Sequence, residues 1–353
     1  MNIREALIKA SGIFPPEFSK DIALYLLRHG LYTPLSPKDT YANLATQLGH
    51  LQLPHPVGIP AGMDKNANTI NGLLGLGCSF LEVGTITPLP QMGNPKPRVF
   101  RIGKSQELIN RLGLNNVGAE IVAQTLASRT DKGIVGLSAG YNADSEDPIL
   151  DFQKVIRLCA RNVDFLSLNV SCPNIHQNVD FDKPENIQSL LEKTQATLHE
   201  INQNKPVYLK LSPDHNGNQL NEIVNSALES GISGLVATNS TLTRPNGKDG
   251  KYSERGGLTG PSLYPLSTKI LAQIYSITQG QIPLIGVGGI SSPSEAYEKI
   301  KAGANAIQLY TALTYQGGDL IIRICKEMSH RINQDGLKSI SEVVGTEFQK
   351  WLE

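Results

Sequence analysis

Short apolar runs, most of them closing on Gly, Ser, Thr or Asn, recur along the chain. They cover Val57–Gly62, Phe80–Thr85, Gly133–Gly140, Val163–Ser171, Val207–Ser212, Gly234–Asn239, Pro283–Gly289 and Ala306–Thr311. Several are apolar nearly throughout, as expected of parallel strands covered on both faces. Helix-period segments lie between them. Pro184–Ile201 opens on a proline suited to a first helical turn and sets Ile187, Leu190, Leu191, Thr194 and Leu198 on one stripe. Leu220–Leu228 repeats the pattern with Leu220, Ile223, Val224 and Ala227, and Ser292–Ala302 starts with a capping-type Ser-Pro-Ser-Glu. Eight alternations of strand and helix predict an α/β chain folded as a (β/α)8 TIM barrel, ahead of an open doubly wound sheet.

Two segments exceed a bare barrel. Residues 1–45 read as an N-terminal helical extension with two short helical patterns. The second begins at Pro15-Pro16-Glu17 and puts Phe18, Ile22, Tyr25 and Leu26 on one side. Residues 46–353 then form the barrel. Within it, residues 86–132 are too long for a simple strand-to-helix connection and predict an insertion at the active-site end.

Composition narrows the class. With 353 residues and 40% hydrophobic content, the chain can bury the full core that a barrel needs. Its 32 basic residues balance 32 acidic ones, which argues against nucleic acid as a partner, because that affinity comes largely from phosphate neutralisation. Cys78, Cys159, Cys172 and Cys325 lie far apart with no metal-ligand spacing, so neither a disulfide scaffold nor a metal site is expected. The longest apolar run near the N-terminus is Ile22–Leu27, far short of the roughly 20 residues that cross a bilayer. A soluble or peripheral protein is expected.

Barrel enzymes carry their chemistry at the C-terminal ends of the strands. Those ends hold Ala61-Gly62-Met63-Asp64-Lys65, Gly84-Thr85, Asn169 to Asn174, Lys210, Thr238-Asn239-Ser240, Gly286 to Gly289 and Tyr310-Thr311. The Gly-Val-Gly-Gly after strand seven, with Tyr310-Thr311 after strand eight, suits a phosphate cradle, a tight turn being the plainer alternative. Lys210 puts a charge inside an apolar strand, where an inward cation can stabilise negative charge on a cofactor. Asn110, Asn169, Asn174 and Asn239 together suggest a planar ligand with both donors and acceptors. Cys172, in Asn-Val-Ser-Cys-Pro-Asn, is the one cysteine at a catalytic end, as nucleophile or base.

These residues carry a family resemblance. Gly62-Met63-Asp64-Lys65, Gly84 to Pro88, Gly93 to Arg98, Ile109 to Asn116, Ala237-Thr238-Asn239, Gly256 to Gly260 and Ile285 to Ile290 resemble dihydroorotate dehydrogenase. The match runs from about residue 50 to the end of strand eight. The helical extension and Pro97-Arg98-Val99-Phe100-Arg101 look like the membrane-associated, quinone-reducing class. The resemblance implies FMN, held by Gly260, Gly289, Tyr310 and Thr311, with Ala61, Gly62, Lys65, Thr85, Ser138, Asn169, Lys210 and Thr238 as further contacts. It implies orotate-ring contacts from Lys65, Asn110, Arg111, Leu112, Gly113, Leu114, Asn169, Asn174, Asn239 and Ser240. In the implied reaction a base removes the C5 proton of dihydroorotate, C6 gives hydride to the flavin, and Lys210 stabilises the reduced flavin. Electrons pass to a quinone at a membrane surface, with the protein peripheral on the cytoplasmic face, or soluble in the cytoplasm as the alternative.

Four positions depart from the quinone class. Cys172 stands where that class has serine as base, and a thiol, with a reference pKa of about 8.5, ionises far more readily than an alcohol. Ser138 replaces an asparagine, Tyr141 replaces a lysine, and the segment after Asn174 reads Ile175-His176-Gln177-Asn178. Two alternatives therefore stay open: a flavin enzyme for a related dihydropyrimidine or with a soluble acceptor, and a barrel that binds a phosphorylated ligand without turnover.

Overall fold

The structure is a computed structural model that describes residues 13–31, 41–174, 179–215, 217–245 and 250–353. The first helical pattern of the N-terminal extension, and the Ile175–Asn178 segment, lie outside the described residues. Among these residues the strands in chain order are β1 (Thr46–Leu48), β2 (Leu51–Leu53), β3 (Val57–Ile59), β4 (Phe80–Ile86), β5 (Val99–Ile102), β6 (Glu107–Asn110) and β7 (Ile134–Ala139). They continue with β8 (Phe165–Asn169), β9 (Val207–Leu211), β10 (Gly234–Ala237), β11 (Gly257–Thr259), β12 (Leu284–Val287) and β13 (Ala306–Gln308). Strands β3, β4, β7, β8, β9, β10, β12 and β13 close in that order into one parallel barrel. All eight apolar runs of the sequence are its staves.

The helices in chain order are α1 (Pro16–Arg28), α2 (Ile70–Leu74), α3 (Ala119–Ala127), α4 (Pro148–Cys159) and α5 (Pro184–Glu200). After them come α6 (Gly217–Glu229), α7 (Tyr264–Thr278), α8 (Pro293–Lys301), α9 (Thr311–Gln316) and α10 (Asp319–Gln334). The expected stripes are the buried ones: Ile187, Leu190, Leu191, Thr194 and Leu198 on α5, and Leu220, Ile223, Val224 and Ala227 on α6. Ser292 caps α8 by accepting a hydrogen bond from the Glu295 N–H at 3.2 Å.

Inside the barrel, large rings face small neighbours. Phe80 lies beside Gly58, Phe165 beside Gly136 and Tyr208 beside Gly234; a Cβ on those glycines would come within 2.5, 2.1 and 2.4 Å of the rings. Space, not backbone freedom, requires glycine there. The β1–β2 hairpin, which the periodicity did not predict, lays Leu48 and Leu53 on these rings and closes the base of the barrel. Within residues 86–132, β5 and β6 form a small antiparallel sheet, completed by β11 from far along the chain, and α3 follows as the helix between barrel strands β4 and β7. The small sheet stands over the opposite end.

Helix α1 lies outside the barrel. Its first turn is pinned by Glu17, whose carboxylate accepts from Arg98 Nη2 at 2.7 Å and from Arg98 Nε at 3.1 Å. Burial alone would raise the Glu17 pKa; the Arg98 bond and charge, with Lys96 and Lys65 behind, hold it below the ordinary carboxylate value. Farther along, the backbone of Leu27 comes so close to Gly72 on α2 that a Cβ there would meet its carbonyl at 2.5 Å.

Candidate active site

Alternation along a strand decides which residues reach the barrel mouth. In β8, Phe165, Ser167 and Asn169 share one face; in β9, Tyr208 and Lys210 do, with Asn169 directly opposite Lys210. Since Phe165 and Tyr208 fill the interior, Asn169 and Lys210 also point inward, one layer higher. A bulge in β4 between Gly84 and Ile86 sets Thr85 beside them. The amides and hydroxyls then bond in a chain across the mouth. Ser138 Oγ meets Thr85 Oγ1 at 2.9 Å, Asn169 Nδ2 donates to Thr85 Oγ1 at 2.9 Å, and Asn239 Nδ2 donates to Asn169 Oδ1 at 3.1 Å. Asn239 Nδ2 also donates to the Ser171 carbonyl at 3.1 Å, while Ser171 Oγ donates to the Lys210 carbonyl at 2.8 Å. Such a chain fixes each amide's orientation before a ligand arrives.

The loop after β3 is held by Asp64, whose buried carboxylate accepts from the N–H groups of Asn66, Asn68 and Thr69 at 3.3, 3.1 and 2.7 Å. This presents Lys65, whose Nζ donates to Asn115 Oδ1. Burial pushes the Lys65 ammonium well below its ordinary value, and the charges of Lys20 and Arg98 push the same way against Glu17 and Cys172. Cys172 is itself buried, at 7% exposure. Burial raises its thiol pKa, opposed by an N–H bond from Asn174 and by the positive charges of Lys65 and Lys210.

These groups line one cavity of about 690 Å³. Its deep end is polar, with Lys65, Asn110, Asn169, Cys172, Asn174, Lys210, Asn239 and Ser240; Ala61, Gly62, Thr85, Leu112, Gly113, Leu114, Thr238 and Tyr310 also line it. Its outer end is apolar, bounded by Phe14, Ile22, Leu26 and Leu27 of the α1 region and by Val99, Leu108 and Leu313 of the barrel top. A second, small cavity of about 30 Å³ adjoins it along Thr259, Val287, Gly288 and Tyr310, and is lined by Gly260, Gly289 and Thr311. Gly289 has φ +77, and a Cβ there would come within 2.4 Å of the Tyr264 nitrogen, so only glycine fits this turn.

Two residues expected at the site do not line the cavity. Arg111 turns away from the cavity: its guanidinium lies 4.5 Å over the Phe100 ring and pairs with Glu254 at 2.7 Å. Ser138 is fully buried behind Thr85, which takes its hydroxyl, and it does not line the cavity. Lys20, absent from the residues expected at the strand ends, lines the cavity. From α1 its Nζ reaches the Gly62 carbonyl, which the Tyr310 hydroxyl also approaches at 3.3 Å. Its position between Ser19 and Asp21 resembles an ordinary solvated helix face, so no local signal marks it.

Comparison with known proteins places this geometry. Residues 43–332 match the family model for dihydroorotate dehydrogenase. A dihydroorotate dehydrogenase (quinone) of Cereibacter sphaeroides (strain KD131 / KCTC 12085) is 44% identical over 354 residues, covering 100% of both chains. The mitochondrial dihydroorotate dehydrogenase (quinone) of Oryza sativa subsp. japonica is 36% identical over 96% of this chain and 78% of its own. Among solved structures, the enzyme of Eimeria tenella in complex with ferulenol superposes with a TM-score of 0.89 at 31% identity, covering 94% of this chain and 95% of that one. A family match over most of the chain, and a relative similar along its whole length, establish that the chain belongs to the dihydroorotate dehydrogenase family.

Proposed function

We propose that the protein oxidises (S)-dihydroorotate to orotate, a step of de novo pyrimidine biosynthesis, using FMN and passing the electrons to a quinone. The observation that carries this reading is the meeting of Cys172, Lys65, Lys210 and the four amides at the deep end of one cavity whose other end is apolar. A volume of about 690 Å³ sits within the roughly 300–1,000 Å³ of cofactor-sized sites. The donor set suits a flavin nucleotide. Thr85, Asn169, Thr238 and the Ala61–Lys65 loop border the place for a ring, and Gly260, Gly289, Tyr310 and Thr311 border the small cavity for a phosphate. The bound flavin would supply acceptance of a hydride and delivery of electrons to the quinone.

The protein's own groups do the rest. Asn110, Asn174, Asn239, Ser240 and Lys65 present donors and acceptors to the ring and carboxylate of dihydroorotate, and Leu112 to Leu114 border it. Cys172, as thiolate, takes the C5 proton. Lys210 sets a fixed positive charge against the flavin. Anaerobic mixing of the FMN-loaded protein with dihydroorotate is expected to bleach the flavin's visible absorbance rapidly. A yellow protein that stays yellow would overturn the assignment and favour a related dihydropyrimidine.

The outer end of the cavity motivates the acceptor and the location. No helix among the described residues is long and apolar enough to cross a membrane. Yet Phe14, Phe18, Ile22 and Tyr25 remain 48, 51, 39 and 58% exposed beside the apolar entrance. In our reading the extension within residues 1–45 rests on the cytoplasmic face of a membrane and admits the quinone there. Fully burying a large apolar side chain is worth about 1.5–3 kcal/mol, or roughly tenfold and more in partitioning. The double variant Phe18→Glu, Tyr25→Glu is therefore expected to lose binding to lipid vesicles and to slow reduction of a vesicle-embedded quinone. Flavin bleaching by dihydroorotate should be unchanged; slowing of both half-reactions alike would refute an interfacial role.

A further inference from the structure

Lys299, on α8, is a fully buried lysine that the proposed reaction does not use. Its stem packs against β12, where a Cβ on Gly286 would lie 2.8 Å from Lys299 Cγ. Its Nζ donates to Ser267 Oγ and Thr268 Oγ1, both at 2.7 Å, and sits 4.9 Å from the centre of the Tyr264 ring. Ser267 Oγ in turn donates to the Gly288 carbonyl at 2.9 Å, and Gly288 lines both cavities. Tyr264 is the residue against which Gly289 is pressed, and Trp351 closes over it edge-on at 5.9 Å. The lysine is thus one hydroxyl removed from the backbone of the small cavity.

We propose that Lys299 is a positioning residue for the phosphate end of the flavin site, clamping the Gly288–Gly289 turn through Ser267 and setting a buried positive charge behind it. The proposal rests on the flavin reading above. A buried ammonium is costly unless paired, and its two direct partners are neutral hydroxyls. The nearby Glu295 carboxylate is engaged by the Ser291 N–H and hydroxyl, both at 2.7 Å, and by the Ser292 hydroxyl at 3.1 Å. Burial accordingly drives the Lys299 ammonium well below its ordinary value, with Glu295 acting the other way. A phosphate in the small cavity would lie across the Gly288–Gly289 turn from the lysine and be joined to it through Ser267. Hydrogen-bond geometry and charge then act on one ligand group.

Riboflavin, which has the ring and ribityl chain of FMN without its phosphate, separates this role from general packing. The affinities of the apoprotein for both flavins can be read from quenching of flavin fluorescence. Lys299→Met is expected to weaken FMN by up to about tenfold, as for loss of a nearby charge that does not itself touch the ligand, with riboflavin affinity unchanged. Equal weakening of both flavins, or unchanged FMN affinity, would overturn the proposal. If Lys299→Met does not fold, Ser267→Ala keeps the lysine and cuts its link to Gly288. It is expected to weaken FMN selectively by a smaller factor, and unchanged FMN affinity there would overturn the proposal equally. A wild-type protein without preference for FMN over riboflavin would instead remove the phosphate reading beneath it, and the proposal with it.

Discussion

Replacing Cys172 by alanine is expected to slow reduction of the bound flavin by dihydroorotate about 100- to 10,000-fold, the usual contribution of a positioned general base. No other group at the deep end is suited to take the proton. Among the described residues lining the cavity there is no histidine, and its carboxylates, Glu17 and Asp21, belong to α1. Glu17 is moreover tied to Arg98. The positive charges of Lys65 and Lys210 favour the thiolate, and Lys65 Nζ is itself tied to Asn115 Oδ1. Because burial raises the Cys172 thiol above its ordinary value, the thiolate is the minor form at neutral pH. Its share then grows about tenfold per pH unit until the thiol pKa is reached. The bleaching rate should therefore climb with pH through the neutral range. Cys172→Ser keeps the shape but substitutes an alcohol, so its rate should be lower and its rise displaced to higher pH. Wild-type rates and an unshifted profile in both variants would place the base elsewhere.

Much of this arrangement is legible in the chain because a parallel barrel turns sequence order into spatial order. Apolar runs become staves, and the residue that ends each run falls at the mouth, which is how Asn169, Lys210 and Asn239 come together from separate segments. The same alternation rule separates Asn110 from Arg111. Consecutive residues of an extended segment point to opposite faces, so the amide reaches the cavity while the guanidinium turns to Phe100 and Glu254. Other features leave little local trace. The pairing of Gly257–Thr259 with Leu108–Asn110 joins segments too far apart for periodicity to link. The β1–β2 strands, at three residues each, are too short to stand out, although Gln47 and Gln52 face solvent while Leu48 and Leu53 face the core. Lys299 sits in Glu298-Lys299-Ile300-Lys301, which reads as a solvated face; only the crossing of α8 over α7 buries it.

Replacing Lys210 by methionine is expected to slow flavin reduction about 100-fold and to make the flavin's reduction potential more negative. The two effects share one cause. Lys210 is 7% exposed, held inward by the register of β9 between β8 and β10, and it lines the polar end of the cavity. Two-electron reduction by hydride adds negative charge to the flavin, so a nearby ammonium stabilises the reduced form more than the oxidised one, and the low local dielectric magnifies the difference. Methionine nearly preserves the volume and removes only the charge. Each tenfold shift toward the oxidised form appears as about 30 mV in a two-electron couple, which dye equilibration under anaerobic conditions resolves. Lys210→Arg, which keeps the charge, should recover most of the potential even if its bulk spoils the rate. Cys172→Ala should leave the potential close to wild type, because a thiol that moves a proton on the substrate has no preference between flavin redox states. A slow Lys210→Met enzyme with an unshifted potential would mean that the lysine acts on substrate geometry, not on flavin charge. Opposite responses of the two variants, rate alone at Cys172 and rate with potential at Lys210, would assign proton removal and charge stabilisation to separate side chains on separate strands.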